Sequence, residues 1–237
     1  KYVDWSEKYP LDTVDINILG SQNILRACKE YGVQKLIGIS TDKAAPPIAN
    51  IYGLSKSVME RMFLLEALKD LSPLQICCVR YGNVLWSTGS FLPVWKEMVA
   101  ENNHIITTGS TMTRFFFSVE EAVDLVLTVL RNTETLNGKL LSLPMKTACV
   151  RQFLDIICAE KGCSFTISES RPGERHDEYL VGEAELSFSK EISLGGKELY
   201  SITPNSISDQ PILEPVCSSS SPSHSNVSIF NYLQPFF

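Results

Sequence analysis

Hydroxyl, phenol and ammonium side chains are concentrated in one short stretch of the chain, between residues 40 and 56. Ser-Thr-Asp-Lys at 40–43 follows the apolar run at 36–39, and Tyr52 and Lys56 come shortly after. An ammonium group beside a phenol favours the phenolate, so such a tyrosine can exchange a proton with an alcohol near neutral pH. The stretch therefore predicts proton-transfer chemistry on a hydroxylated substrate.

The elements around this stretch are of the kind that positions a ligand site. An apolar strand that ends in polar side chains is typical of the carboxyl edge of a parallel sheet, where open α/β sheets bind ligands. Tyr52 and Lys56 are four residues apart, so a helix that starts after Asn50 places them on one face. Helical periodicity at 16–28 alternates with the strand at 34–40. This alternation predicts an α/β fold with a parallel sheet.

Each signal also has a structural interpretation. A tyrosine and a lysine four residues apart are common on solvated helix faces, and an adjacent Asp-Lys pair can be a cap or an exposed ion pair. Taken alone, Asp42-Lys43 and Tyr52-Lys56 favour that interpretation. The choice depends on the other motifs of the chain.

Five motifs occur in the order found in one branch of the extended short-chain dehydrogenases/reductases. The chain resembles the UDP-N-acetylglucosamine 4,6-dehydratase (inverting) and polysaccharide-biosynthesis group, from Lys1 to about Val181. The motifs are Ser-Thr-Asp-Lys-Ala at 40–44, Arg-Tyr-Gly-Asn-Val at 80–84, Gly89-Ser90, Met-Thr-Arg-Phe at 112–115 and Arg-Pro-Gly-Glu at 171–174.

The resemblance implies the C-terminal part of a doubly wound (Rossmann) parallel sheet with a small α+β substrate lobe. Residues 1–88 would form the second half of the Rossmann-like domain, and residues 89–200 would form mainly the substrate lobe with elements that return to the sheet. Residues 201–237 are rich in Ser and Pro, and we expect them to be disordered. The chain begins with lysine and has no Gly-x-Gly-x-x-Gly turn, which predicts an N-terminally truncated fragment that binds cofactor weakly or not at all.

The resemblance also implies an activity for the full-length form, a lyase that uses NADP, with NAD as the alternative. Such a dehydratase needs a base for the 4-hydroxyl group, a base for the carbon 5 proton and an acid for the departing carbon 6 oxygen. Tyr52, assisted by Lys56, matches the first role, Lys43 the second and Asp42 the third. Lys43 can act as a base only if its surroundings lower its pKa.

The same resemblance assigns binding residues. The expected cofactor-binding residues are Ser40, Thr41, Tyr52, Lys56 and Val84. The expected substrate-binding residues are Lys1, Asn83, Arg114, Arg171 and Glu174. The two arginines suit a pyrophosphate because a planar guanidinium makes paired, charge-assisted bonds to its oxygens.

The chain departs from the family pattern at three places. The segment Pro47 to Asn50 is one residue longer, which could displace Tyr52. Thr88 replaces a substrate arginine, and Trp86 replaces a glycine. A nucleotide-sugar epimerase of the same family therefore stays open as an alternative, as does a catalytically silent truncated homologue that acts as a binding or oligomerisation partner.

Composition limits the partners. The net charge of -6 argues against nucleic-acid binding, and no apolar run reaches the roughly 18 residues of a membrane span. Seven cysteines without a Cys-x-x-Cys pair indicate reduced thiols in a cytoplasmic protein, and no metal-ligand spacing is present. We expect a UDP-sugar substrate, no nucleic acid, no membrane and a homo-oligomer.

Overall fold

The structure is a computed structural model that describes residues 2–69 and 73–237. A π-helical segment, Val14–Leu19, joins the second and third helices. The helices are α1 (Val3–Lys8), α2 (Pro10–Thr13), α3 (Gly20–Glu30), α4 (Ile51–Ala67), α5 (Phe91–Asn102), α6 (Val119–Arg131), α7 (Thr133–Leu136), α8 (Val150–Lys161) and α9 (Asn226–Tyr232). The strands are β1 (Lys35–Ile39), β2 (Gln75–Val79), β3 (Asn83–Val84), β4 (His104–Thr108), β5 (Thr113–Phe117), β6 (Leu140–Ser142), β7 (Thr147–Cys149), β8 (Ser164–Ser168), β9 (Tyr179–Val181), β10 (Ser189–Leu194), β11 (Lys197–Ile202) and β12 (Val216–Cys217).

The main sheet has the strand order β1-β2-β6-β11-β10. The first three strands are parallel, and the hairpin of β10 and β11 adds an antiparallel edge. Alternate residues of β2 serve the two faces of the sheet: Ile76 and Cys78 pack on the α4 side, and Cys77 and Val79 pack on the α6 side. Helices on both faces of a parallel sheet confirm the predicted α/β class.

The outer edge of β1 is open. Among the described residues, no strand pairs with it. Ile39 at its end is 39% exposed, and the neighbouring helix α6 leaves Val119, Val123 and Leu127 partly in solvent. This edge and the apolar face beside it form one side of the molecule.

A second apolar core lies outside the main sheet. It is built around Phe116 of β5, Trp95 of α5 and Phe153 of α8. The strands β3, β5 and β7 form one small sheet, and β4 and β8 form another. The sequence analysis expects a small substrate lobe at 89–200, and both this division and the role of the lobe in substrate binding stay predictions.

The C-terminal segment differs from the expected disorder. Ile229, Leu233 and Phe236 are buried in the second core. Their spacing of four and three residues gives one apolar stripe across α9 and the turn that follows it. The Ser-rich run before it forms turns in which Ser220 and Ser221 donate backbone hydrogen bonds to the Cys217 carbonyl.

All seven cysteines are free thiols. Within the part of the chain that the structure describes, no helix is both long enough and apolar enough to cross a bilayer.

Candidate active site

A cavity of about 830 Å³ opens where β1 and β2 end. This volume lies in the roughly 300–1,000 Å³ range of small-molecule sites. Its lining includes apolar side chains, several of them from α6, and hydroxyl, phenol and ammonium groups. The cavity contains all the cofactor-binding residues that the sequence predicts: Ser40, Thr41, Tyr52, Lys56 and Val84.

The turn after β1 aims Lys43 into this cavity. The backbone N–H of Asp42 donates to the Tyr81 carbonyl at 3.0 Å, which extends the strand ladder past Ile39. A single 3-10 turn, Asp42–Ala44, follows, and the Thr41 hydroxyl caps it. Asp42 itself has no exposed surface, so Lys43 is the member of the pair that lines the cavity.

Lys43 lies between two carboxylates. Its Nζ is 3.0 Å from Asp42 Oδ1 and 3.3 Å from Glu178 Oε1. Burial alone lowers the pKa of Lys43, but the two carboxylates outweigh it and hold the pKa above its ordinary value. The condition that Lys43 must meet to act as a base, a lowered pKa, is therefore not met in this state; Asp42 is its neighbour in sequence, whereas the contact with Glu178 comes only from the fold.

Glu178 is the site residue that the sequence interpretation missed. It is only 1% exposed, and burial raises the pKa of its carboxyl group while the Lys43 ammonium opposes that rise. Its Oε2 lies 3.4 Å from Arg175 but has no hydrogen-bond partner among the described protein atoms. The residue follows the motif at 171–174 by four positions, within a charged run that resembles a solvated surface.

Tyr52 is positioned by the start of α4. Asn50 caps the helix by accepting from the Gly53 N–H at 2.7 Å, and its side-chain amide donates to the Gly173 carbonyl at 2.9 Å. A side-chain carbon at position 53 would fall on the Lys43 carbonyl oxygen. Glycine at this position therefore lets the helix pack directly against the turn that carries Lys43.

The ionisation of Tyr52 differs from the expectation. Burial raises the pKa of Tyr52, whereas Lys43 and a hydrogen bond with Thr41 lower it in part. Lys56 does not supply the expected charge effect: its Nζ donates to Met59 Sδ at 3.1 Å, and burial lowers its pKa. In this state Lys43, and not Lys56, is the cation that favours the phenolate.

Ser40 connects the cavity to a buried ion network. Its hydroxyl donates to Glu60 at 2.5 Å. Glu60 and Glu185 both accept hydrogen bonds from Arg80, at distances between 2.7 and 3.1 Å. The Ser40 side chain is therefore held by α4 and by the segment after β9.

The predicted substrate residues are only partly brought together. Asn83 lines the cavity. Arg114 is buried and donates to backbone carbonyls, including those of Arg175 and His176, so it braces the segment that carries Glu178. Arg171 is exposed.

Glu174 is not among the residues that line the cavity. Glu174 accepts from Thr108 and from the Arg171 N–H, both at 2.8 Å. Lys1 lies outside the described residues. The substrate roles of this group stay predictions.

Trp86, one of the departures from the family pattern, points to the C-terminal segment. It has a left-handed backbone (φ 60°), and its indole N–H donates to the Tyr232 carbonyl at 2.7 Å. Its neighbours Ser87, Gly89 and Ser90 line the cavity.

A parallel sheet with a cavity at its carboxyl edge is the arrangement expected of the extended short-chain dehydrogenases/reductases that the motifs resemble. Residues 1–194 match the family model described as "Polysaccharide biosynthesis protein", and the chain belongs to this family. The family assignment confirms the resemblance that the five motifs indicate.

Relatives and solved structures agree with this class. The chain is 31% identical over 195 residues to a UDP-glucose 4-epimerase of Rickettsia canadensis and 34% identical over 195 residues to one of Rickettsia bellii. In both cases the match covers 81% of this chain and 56% of the relative, so the chain spans about half the length of these curated relatives.

Among solved structures, Pen from Bacillus thuringiensis superposes with a TM-score of 0.89 at 24% identity, covering 99% of this chain and 72% of Pen. The NDP-hexosamine 5,6-dehydratase TunA gives a TM-score of 0.65 at 20% identity, covering 73% of this chain and 62% of TunA. At these identities the likeness shows the fold.

Proposed function

We propose that this chain carries the catalytic groups of a nucleotide-sugar 4,6-dehydratase that acts on UDP-N-acetylglucosamine with NADP. The observation that carries the proposal is the position of Lys43, which lines the cavity together with Tyr52 and contacts Asp42 and Glu178 at 3.0 and 3.3 Å. A base, an acid and a second base are the groups that loss of water from a sugar requires.

The cavity suits a nicotinamide nucleotide. Hydroxyl and ammonium groups at Ser40, Thr41 and Lys56 can bond a ribose, and the apolar wall that includes Val84 and Val123 can cover a ring face. A nicotinamide bound there would accept the hydride from carbon 4 and return it to carbon 6.

The residues of the chain supply the proton transfers. The phenolate form of Tyr52 takes the proton of the 4-hydroxyl group and becomes a phenol. The Lys43 cation stabilises this phenolate before the transfer. Lys43, once neutral, removes the carbon 5 proton that the 4-ketone has made acidic. The Lys43 ammonium then gives this proton to the departing carbon 6 oxygen, which leaves as water. Asp42 is buried, with Oδ1 3.0 Å from Lys43 Nζ, so its part in this step acts through Lys43, which it holds in place.

The test is the mass of the product. A protein that contains residues 1–237 is incubated with UDP-N-acetylglucosamine and NADP, and we expect loss of one water. Lys43→Ala should reduce the rate at least ~100-fold, because it removes a general base. The control Lys35→Ala changes an exposed lysine of β1 and should leave the rate unchanged.

The second candidate is an epimerase that uses the same 4-keto intermediate, and the curated relatives named above favour it. An epimerase would return a sugar of unchanged mass with inverted carbon 4. Unchanged substrate with a folded protein would instead indicate the catalytically silent homologue and would contradict the dehydratase.

A further inference from the structure

We propose that Glu178 is a positioning residue that takes the ammonium proton of Lys43 and so converts Lys43 into a free base. The inference rests on the proposed function, in which Lys43 removes the carbon 5 proton. It starts from a difficulty in that function: Lys43 lies between two carboxylates that stabilise its charged form, whereas a base must be neutral.

Glu178 is held rigidly at the required place. Its backbone N–H donates to Ser218 Oγ at 2.9 Å, and its carbonyl accepts from the Ser218 N–H at 2.8 Å. Its Oε1 lies 3.3 Å from Lys43 Nζ, close enough for a proton to pass after a small approach. Oε2 has no hydrogen-bond partner among the described protein atoms and has the Arg175 guanidinium at 3.4 Å, so Oε1, which faces Lys43, is the oxygen that takes the proton.

The charges around Glu178 come from three parts of the chain. Lys43 and Asp42 face it from the turn after β1, Arg114 faces it from β5, and Arg175 faces it from the segment before β9. Burial favours the neutral form of both partners: it raises the pKa of Glu178 and, by itself, lowers that of Lys43. Transfer of one proton from Lys43 to Glu178 removes two buried charges at once, which offsets the lost attraction between them.

The proton balance of the cycle is closed. The N–H bond of the Lys43 ammonium breaks, and an O–H bond forms on Glu178. The neutral Lys43 amine takes the carbon 5 proton and gives it to the carbon 6 hydroxide, which leaves as water, while the buried Asp42 Oδ1 holds Lys43 Nζ in place. Glu178 then returns its proton to Lys43. As the hydride reaches carbon 6, the Lys43 ammonium protonates carbon 5 and regains a proton from solvent, and Tyr52 releases to solvent the proton that it took from the 4-hydroxyl group. Only the step that generates the base is independent of solvent.

This relay predicts how the rate depends on pH. In the wild-type protein the proton stays within the pair, so generating the base requires no loss of a proton to solvent, and kcat changes little around neutral pH. In Glu178→Gln the amide cannot accept the proton. Lys43 must then release it to solvent, so kcat should rise about tenfold per pH unit below the Lys43 pKa, as expected for loss of one proton.

The experiment measures kcat for water loss, and incorporation of deuterium at carbon 5 from heavy water, between about pH 6.5 and 8.5, the range near neutrality where such a base must work. We expect a nearly flat profile for the wild-type protein and a rising profile for Glu178→Gln. The control is Glu183→Gln, the same chemical change at an exposed glutamate five residues further along the chain, which should keep the wild-type profile. A Glu178→Gln protein that is slower by the same factor at every pH would show a merely structural role and would overturn the inference.

Two further measurements separate the ways in which the test can fail. The carbon 13 signal of the Lys43 side chain should titrate at lower pH in Glu178→Gln than in the wild-type protein, since a carboxylate that raises the pKa of Lys43 is lost. An unchanged titration overturns the inference.

If Glu178→Gln does not fold, Glu178→Asp retains a proton acceptor and should keep the flat pH profile of kcat. A rising profile for Glu178→Asp overturns the inference. A wild-type protein with neither water loss nor exchange at carbon 5 overturns the proposed function and this inference with it, whereas wild-type turnover with a flat Glu178→Gln profile overturns the inference alone.

Discussion

Arg80 shows at the scale of one residue how the site is held. Its side chain has no exposed surface and bonds two buried carboxylates, Glu60 and Glu185, as well as the Leu180 carbonyl. Charges taken out of water are tolerated only when each is paired. Because Glu60 also holds the Ser40 hydroxyl, the network connects the cavity wall to the segment after β9.

Replacement of Arg80 should destabilise the fold strongly. Arg80→Met leaves Glu60 and Glu185 buried without a cation, and loss of one partner from a buried ion pair costs about 3–5 kcal/mol of unfolding free energy. Urea unfolding measures the change. The control Arg131→Met, at an exposed arginine, should change the unfolding free energy by no more than about 0.5 kcal/mol. An equally small change for Arg80→Met would contradict the stabilising role of the network.

The sequence predicted several residues of the site but missed Glu178. Tyr52 and Lys56 were predicted because a helical spacing of four residues places them on one face, and Lys43 was predicted because the motif at 40–44 resembles the family pattern. Glu178 was not, because its contact with Lys43 spans more than a hundred residues of chain and depends on how the segment before β9 folds back. The pKa directions of Lys43 and Tyr52 could not be read from the sequence, since burial acts on both, and Lys43 also feels Glu178, which only the fold brings near.

At the scale of elements, the junction between the turn after β1 and the start of α4 decides the geometry of the site. The helix lies directly on the Lys43 carbonyl because Gly53 has no side chain. The additional residue between Lys43 and Tyr52 does not separate them, as both still line the cavity.

Gly53→Ala should therefore destabilise the protein, although alanine has a higher helix propensity than glycine. In an open helix this change stabilises by about 1 kcal/mol, whereas here the methyl group meets backbone and overpacking costs about 1–3 kcal/mol. We expect a lower unfolding free energy and slower water loss. Ser57→Ala, on the same helix, is the control and should have little effect on either; a Gly53→Ala protein that is more stable and fully active would refute the close contact.

The elements themselves were predicted best where periodicity is strong. Periodicity in the sequence predicts helices at 119–130 and 150–160 and strands at 104–108 and 164–168, and α6, α8, β4 and β8 lie within one residue of these bounds. The hairpin of β10 and β11 was not predicted, although its Gly195-Gly196 loop, with both φ angles positive, is a recognised hairpin signal. Its strands carry charged residues, and only their pairing with β6 shows that they belong to the main sheet.

For the whole molecule, the C-terminal segment completes the second core. Helix α9 and the turn after it supply Ile229, Leu233 and Phe236 to that core. The Trp86 indole bonds the Tyr232 carbonyl, so this segment also braces the loop whose next residues line the cavity. The Ser- and Pro-rich composition predicted disorder, because the few apolar residues of the segment form a stripe only when they are placed on a helix.

Two substitutions in this segment should have different effects. Phe236→Ala leaves a hole in the second core and should cost about 3–5 kcal/mol of unfolding free energy. Val227→Ala, in the same segment, removes a side chain that is 71% exposed. It should change the unfolding free energy by no more than about 0.5 kcal/mol. Thermal unfolding of both variants is the measurement, and equal melting temperatures would show that the segment is not docked.

The open edge of β1 has a consequence for handling the protein in solution. An unpaired strand edge beside partly exposed apolar side chains is a template on which another polypeptide can add a strand, which leads to precipitation. The net charge of -6 keeps molecules apart through mutual repulsion. Mild acid or high salt weakens that repulsion, so this polypeptide should be most soluble when dilute, slightly alkaline and low in salt.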